Sequence, residues 1–146
     1  MTPGEFDIKV VARARGWIGT PYHHQQSAKN IGVDCLGLVR GVWREVCGDE
    51  IEAVPNYSSS WKRGGEDSLL AALHRHLNFD PTGISAGRVL AFRYRASLPV
   101  HHLAIATSST HMIHAYHGRG ASEVPIIDYW RRKLDSCFVF PIGRAE

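Results

Sequence analysis

The chain has 146 residues, enough for one domain that buries a conventional core without disulfide bonds. Hydrophobic residues make up 44% of it and charged residues 21%, and no segment approaches the roughly 20 apolar residues of a transmembrane helix, so we expect no membrane partner. The formal charge of +3 comes from scattered Lys and Arg residues, a pattern that does not indicate nucleic-acid binding.

The cysteines and the N-terminus bear on where the protein works. Cys35, Cys47 and Cys137 are odd in number, widely spaced and without a CxxC pair. That pattern indicates neither a disulfide framework nor a thiolate zinc site. Residues 1–7 lack the basic start and apolar run of a secretion signal, so we expect synthesis in the cytoplasm and, for work beyond it, a carrier.

Three amphipathic helices are predicted in the first part of the chain. Thr2-Pro3-Gly4-Glu5 is a capping box with proline at the first helical position, and it begins a helix that runs to about residue 16. Asp34 is placed to N-cap a second helix, because apolar residues recur every three or four positions over 36–47. A leucine stripe predicts a third helix over 68–77.

The remaining segments read as loops and strands. Polar stretches with glycine predict surface loops over 19–32 and 56–67. After Gly87 the pattern changes to short β-like runs, at 89–94, 102–107, 111–116, 124–127 and 137–142. Helices first and strands afterwards predict an α+β domain, with N-terminal helices packed on a largely antiparallel β-sheet. We predict a single domain over 1–146.

Cys35 is the cysteine placed for chemistry, because it falls in the first turn of the second predicted helix. The positive end of a helix dipole favours a thiolate and so lowers the pKa of a cysteine there. Cys47 falls on the apolar face of the same helix and Cys137 in an apolar run, so we assign both to packing.

A cysteine hydrolase also needs a histidine base and a third polar group that fixes the imidazole. Because side chains alternate along a strand, His102 shares a face with Ala104, and His101 takes the opposite face. A hairpin through 108–110 that pairs even-numbered residues with even-numbered ones brings His114 beside or diagonal to His102. The two can then act as base and orienter. The alternative is that they only satisfy backbone groups at a sheet edge.

Four segments of the chain resemble the NlpC family of bacterial cell-wall cysteine peptidases, which are papain-like enzymes. They are Trp17-Ile18-Gly19-Thr20-Pro21-Tyr22, Gly32-Val33-Asp34-Cys35-Leu36-Gly37-Leu38-Val39, His102-Leu103-Ala104-Ile105-Ala106 and Met112-Ile113-His114-Ala115. They occur in the family order over roughly residues 10–142, and the twelve-residue step from His102 to His114 is also similar to the family's. The resemblance implies a papain-like fold and a cysteine peptidase that needs no cofactor.

The resemblance also implies roles for five residues. Cys35 resembles the nucleophile, His102 the base and His114 the orienting third residue. Tyr22 resembles the active-site tyrosine whose hydroxyl lies near the nucleophile; the alternative is a packing aromatic. Asp34 resembles the acidic residue that in some members helps to hold the free amino end of the peptide stem; the alternative is a helix cap alone.

The expected substrate and partners follow from the same resemblance. Family members cut the bond between D-γ-glutamyl and a diamino acid in the murein stem, so we expect a peptidoglycan stem peptide as substrate. Leu36 stands where the family usually has serine, which removes a hydroxyl from the substrate side. The run 34–43 looks most like the branch associated with phage tails and gene transfer agents, which implies tail or baseplate partners and a tail-like particle that acts in the periplasm.

Three alternatives stay open at this point. The first is a structural tail-tip protein that keeps the fold without activity. The second is an amidase or acyltransferase that acts on a different amide. The third is a metal site, suggested by His111, His114 and His117 and by the pair His23-His24. It is disfavoured because residues 111 and 114 face opposite ways in a strand, so we expect no metal.

Overall fold

The computed structural model describes residues 1–48 and 67–142. The elements are α1 Pro3–Arg15, β1 Ser27–Ala28, β2 Gly32–Val33, α2 Cys35–Val46, α3 Ser68–His76, β3 Asn78–Asp80, β4 Val89–Arg93, β5 Val100–Ala106, β6 His111–Tyr116, β7 Gly120–Pro125, α4 Asp128–Lys133 and β8 Leu134–Val139. Three of the four helices in the described ranges precede the six strands β3 to β8. The predicted α+β class is confirmed.

The first two helices begin at side chains that cap them. Thr2 Oγ1 accepts a hydrogen bond from the Glu5 backbone N–H at 3.1 Å, and Asp34 Oδ1 accepts one from the Gly37 N–H at 2.7 Å. Each bond satisfies a backbone donor that has no partner within its own helix. The Asp34 cap makes Cys35 the first residue of α2, as the sequence predicts.

Six strands form one antiparallel sheet in the order β3-β8-β4-β5-β6-β7, and β1 and β2 form a separate antiparallel pair. The even-with-even register predicted for β5 and β6 is confirmed, since Ala106 pairs with Met112. Within the described residues, the ladder between these two strands covers only 105–106 and 112–113. The strands therefore diverge before they reach His102.

The sheet has an apolar cluster on each face. On the helix side, Cys35 and Leu38 of α2 pack with Leu103. On the other side the cluster surrounds Trp130 of α4 and contains Phe92, Met112 and other buried residues. His102 and His114 lie on this α4 side, since both rings contact Trp130.

Some elements differ from their predicted bounds. The short helix α4 has six residues, too few to show a helical period in the sequence. The predicted strands over 124–127 and 137–142 are β7 and β8, which begin and end earlier. Part of the predicted loop over 19–32 forms β1 and β2. Residues 56–66 of the other predicted loop lie outside the described residues.

No helix within 1–48 or 67–142 combines the length and the apolar character that crossing a membrane requires.

Candidate active site

Cys35 lies at the start of α2, with 9% of its surface exposed. Backbone N–H groups of Leu103, Leu36 and Cys35 itself point at the thiol sulfur. Burial, followed by the negative charge of Asp34, nevertheless raises the pKa of the thiol to about 12. The predicted lowering of this pKa is therefore wrong, because burial and a carboxylate outweigh the helix start. At neutral pH the resting thiol keeps its proton.

His102 and His114 contact each other directly. His102 Nε2 lies 2.9 Å from His114 Nδ1, although the residues stand diagonally on strands that have begun to diverge. Burial, followed by the charges of His114 and His101, holds the pKa of His102 well below its ordinary value of 6.5. Burial and Arg119 lower the pKa of His114 to about 4. Both imidazoles are therefore neutral at pH 7.

The contact decides which nitrogen of His102 can serve as a base. A neutral imidazole has one N–H donor and one lone-pair acceptor. When neutral His114 accepts at Nδ1, His102 donates from Nε2 and keeps its lone pair on Nδ1. That lone pair can take a proton from a thiol. If His114 carried a hydrogen on Nδ1, as its other neutral tautomer and the protonated ring both do, it would donate instead, and neutral His102 would carry its hydrogen on Nδ1.

The Cys35 thiol contacts strand β5, which also carries His102. The Cys35 thiol lies on the helix side of the sheet and accepts from the N–H of Leu103, the residue that follows His102. His102 directs its ring to the α4 side. The Leu103 N–H thus places the thiol beside the β5 backbone at the residue that follows His102. The Leu103 N–H is a contact of the thiol that sequence analysis did not identify.

Trp130 and Tyr116 each contact both histidine rings. Trp130 stacks on His102, with ring centres 5.0 Å apart and planes 27° apart. Tyr116 stacks on His114 at 5.4 Å and 23°. Alternation along β6 places Tyr116 on the face of His114, so the sequence contains that signal. No spacing in the sequence points to Trp130.

His101 departs from the predicted alternation. In the β4–β5 ladder Phe92 pairs with His102, and the next pair is Arg93 with Val100, so His101 is the extra residue of a bulge. The His101 ring lies 6.4 Å from the His102 ring and 5.9 Å from that of Tyr94. The prediction of a regular strand, with His101 simply on the opposite face, is wrong at this position.

Tyr22 lies beside the site. Its backbone forms a bridge to Val33, just before α2, and its ring contacts His117 with centres 5.3 Å apart. Burial, followed by the charges of Cys35 and Asp34, raises the pKa of the Tyr22 hydroxyl. Tyr22 also packs partly against the helix-side core. The phenol is thus close enough to the thiol to interact with it electrostatically, and its catalytic role stays a prediction.

Asp34 is a buried structural carboxylate with 2% of its surface exposed. Oδ1 accepts the capping hydrogen bond from Gly37, and Oδ2 accepts one from the Gln25 backbone N–H at 2.7 Å. The capping role is confirmed, and the side chain also ties the loop before β1 to α2. Because backbone donors already engage both oxygens, the predicted contact with a substrate amine would require competition with these bonds.

The histidines proposed as alternative metal ligands are in different surroundings, because His111 and His117 are exposed and His114 is buried. In the two described ranges no group of three or more His, Cys, Asp or Glu residues is placed to hold a metal ion.

The α+β fold belongs to the papain-like class. Within that class the chain belongs to the NlpC/P60 family, because the model of this family matches residues 19–138. Members of the family are generally cysteine peptidases that act on peptidoglycan. Cys35, His102 and His114 all lie inside the matched range.

Solved structures with the same fold come from several sources. An NlpC/P60 family protein from Bacillus cereus has a TM-score of 0.64 at 16% identity, over 92% of this chain and 40% of its own. The NlpC/p60 domain of the peptidoglycan hydrolase SagA has a TM-score of 0.61 at 22% identity, over 92% and 98%. NlpC2 from Trichomonas vaginalis has a TM-score of 0.60 at 16% identity, over 96% and 48%.

This chain therefore spans less than half of the Bacillus cereus and Trichomonas vaginalis chains, whereas it covers almost the whole SagA domain. At these identities the likeness is one of fold. Among curated proteins, none matches the sequence significantly.

Proposed function

We propose that the protein is a murein endopeptidase that hydrolyses an amide bond of the peptide stem by a Cys-His-His mechanism. The observation that carries the proposal is the 2.9 Å contact between His102 Nε2 and His114 Nδ1. In addition, the residue after His102 offers its N–H to the Cys35 thiol. A nucleophile, a base and an orienting group are the parts that thiol hydrolysis of an amide needs.

The first step forms the acyl-enzyme. His102 Nδ1 takes the thiol proton while Cys35 Sγ bonds to the amide carbonyl carbon, because the resting thiol is protonated. The resulting imidazolium donates from Nε2 to neutral His114, which stabilises the positive charge. The Cys35 backbone N–H at the helix start and the Tyr22 hydroxyl are the candidate donors to the oxyanion. His102 Nδ1 then gives its proton to the leaving amine as the C–N bond breaks.

The second step releases the product. A water molecule attacks the thioester carbon, and His102 Nδ1 accepts a proton from that water. The C–S bond breaks, the proton returns to Cys35 Sγ, and the substrate leaves as a carboxylic acid. By its family the bond would be the one between D-γ-glutamyl and a diamino acid, and the products would be a free γ-carboxylate and a free amine on the diamino acid.

A murein digest followed by mass spectrometry tests this function. Wild-type protein should yield products with that new carboxylate and amine, and Cys35→Ala should yield none. Cys47→Ala is the matched control, because Cys47 is also buried in the helix-side cluster but lies at the far end of α2. Intact murein after wild-type treatment would favour a structural protein. Cleavage of a different amide would favour an amidase or acyltransferase.

We also propose a location in a tail-like particle that opens the wall for DNA entry. The support is the likeness of the run 34–43 to the phage-tail and gene-transfer-agent branch. Proteomics of purified particles should detect the chain. Particles that carry Cys35→Ala should assemble but deliver DNA poorly into cells with intact walls. Failure to detect the chain would reject this location and leave the peptidase assignment standing.

A further inference from the structure

Trp130 makes the closest ring contact with His102. The indole and imidazole centres are 5.0 Å apart with planes 27° apart, whereas Phe92 lies 6.0 Å away on the neighbouring strand. Trp130 is 8% exposed and His102 6% exposed. The indole therefore covers the α4 side of the imidazole and separates it from water.

The rings around the two histidines have a reciprocal arrangement. Trp130 stacks on His102 and stands at 90° to His114, with centres 5.5 Å apart. Tyr116 stacks on His114 and stands at 89° to His102, with centres 5.7 Å apart. Trp130 and Tyr116 are themselves 5.9 Å apart at 87°. Each imidazole thus has one flat neighbour and one perpendicular neighbour.

Hydrogen bonds to other segments fix α4 in place, although it is short. Arg131 Nε donates to the Ile126 carbonyl at 3.0 Å, and Arg131 Nη2 donates to the Ser109 carbonyl in the β5–β6 turn at 3.0 Å. Lys133 Nζ donates to the Tyr94 carbonyl after β4, also at 3.0 Å. These bonds tie α4 to the end of β4 and to the turn before β6, the strands on either side of β5. They fix the backbone of α4 and so hold the Trp130 side chain over the His102 ring.

We propose that Trp130 is the positioning residue of His102, which holds the imidazole so that Nε2 stays on His114 and Nδ1 stays available to the thiol. The consequence for catalysis rests on the proposed function, but the positioning itself does not.

The hydrogen bond from His102 Nε2 fixes one atom and leaves the ring able to rotate about that direction. The indole stacked at 5.0 Å favours the present orientation, because the faces of the two rings pack on each other and a turned imidazole would lose that packing. Burial under Trp130 also agrees with a pKa of His102 well below 6.5.

A histidine titration followed by NMR tests the positioning without any substrate. The Cys35→Ala background removes the thiol, and the other titratable groups that face His102 are His101, His114 and Tyr116. Trp130→Leu keeps an apolar side chain but removes the flat ring that separates the imidazole from water. The pKa of His102, measured as its titration midpoint, should therefore rise toward about 6.5, the ordinary histidine value. Trp130→Phe should keep the midpoint close to that of the parent protein.

Trp43→Leu is the matched control, since Trp43 is 6% exposed but packs in the cluster on the opposite face of the sheet. It should cost stability without moving the His102 midpoint. If Trp130→Leu does not fold, Trp130→Met makes the same test, because the flexible methionine side chain adapts to an irregular gap.

Kinetics on murein complete the test, with Cys35 present. Trp130→Leu should lower kcat by roughly 10- to 100-fold, part of the 10²- to 10⁴-fold that acid–base catalysis contributes, with KM little changed. Trp130→Phe should recover most of kcat. A folded Trp130→Leu protein with an unmoved His102 midpoint would overturn the proposal, whatever its kcat. A moved midpoint in a protein that never cuts murein would uphold positioning and reject the proposed function.

Discussion

His102 and His114 contact each other across strands whose backbones no longer pair at that level. The β5–β6 ladder stops at Ile105 and Ile113, and the 2.9 Å contact between Nε2 and Nδ1 spans the gap beyond it. The Leu103 N–H, next to His102 in β5, donates to the Cys35 thiol. Strand β5 therefore carries both the candidate base and a backbone contact of the nucleophile.

The two adjacent histidines give the first prediction. His102→Ala should reduce murein cleavage by about 10²- to 10⁴-fold, because it removes the general base. His101→Ala is the matched control and should retain activity within about tenfold, because the contact with His114 belongs to His102. His114→Ala should fall between them, since the nucleophile and base remain. Cleavage rates of the three variants decide this, and a His101→Ala loss equal to that of His102→Ala would reassign the base.

The pH profile gives the second prediction. His102 must be neutral to accept the thiol proton, and burial holds its pKa well below 6.5. The rate therefore rises with pH through the lowered pKa of His102 and is level at neutral pH. The pKa of Cys35, about 12, places no alkaline limb in the range where the protein can be assayed. A profile of kcat/KM that is half-maximal near the ordinary histidine value of about 6.5 would contradict this environment.

The helices and the parity of the histidines could be predicted because they depend on local rules. Capping residues fix where α1 and α2 begin, so the place of Cys35 follows from Asp34. The period of two along a strand places His102 and His114 on one face whenever the register pairs even residues. Neither inference needs knowledge of distant contacts.

The remaining features depend on parts of the chain that are distant in sequence. The bulge at His101 arises where β4 and β5 change register, and the alternation of β5 alone contains no sign of it. The stack of Trp130 on His102 requires α4 to pack on a particular strand pair. The raised pKa of Cys35 comes mainly from burial, which a position in a helix does not reveal.

The stability of the fold at acidic pH gives the third prediction. The pKa of His114 is about 4 in the folded protein, against an ordinary value of 6.5. As pH falls, the unfolded chain therefore binds this proton before the folded protein does. The contribution of His114 to the free energy of unfolding is constant above pH 6.5 and decreases from there to pH 4. The shift corresponds to about 3 kcal/mol at most.

Urea unfolding at pH 7, 5 and 4 measures this effect. Other groups titrate in the same range, so the informative quantity is the difference between wild type and His114→Gln, which has no titratable ring. His114→Gln should lose less stability between pH 7 and 4 than wild type does. Parallel curves for the two proteins would show that His114 has no lowered pKa.

The last prediction concerns Gly37, which lies in α2 two residues after Cys35. A Cβ at Gly37 would collide with the Gln26 carbonyl and crowd Asp34 Oδ1, the oxygen that caps α2. Glycine to alanine in a helix usually stabilises by up to about 1 kcal/mol, so the expected sign here is reversed. Gly37→Ala should destabilise the protein by about 1–3 kcal/mol, the usual cost of overpacking, and should slow murein cleavage because the cap that places Cys35 shifts.

Gly4→Ala is the matched control, since Gly4 lies in the first turn of α1 and an added Cβ would meet nothing within 4 Å. It should be neutral or slightly stabilising and leave cleavage unchanged. Urea midpoints and cleavage rates of both variants provide the comparison. Equal stability of the two proteins would mean that the loop over 23–28 yields to the new methyl group, and that the Asp34 cap does not depend on the close approach at Gly37.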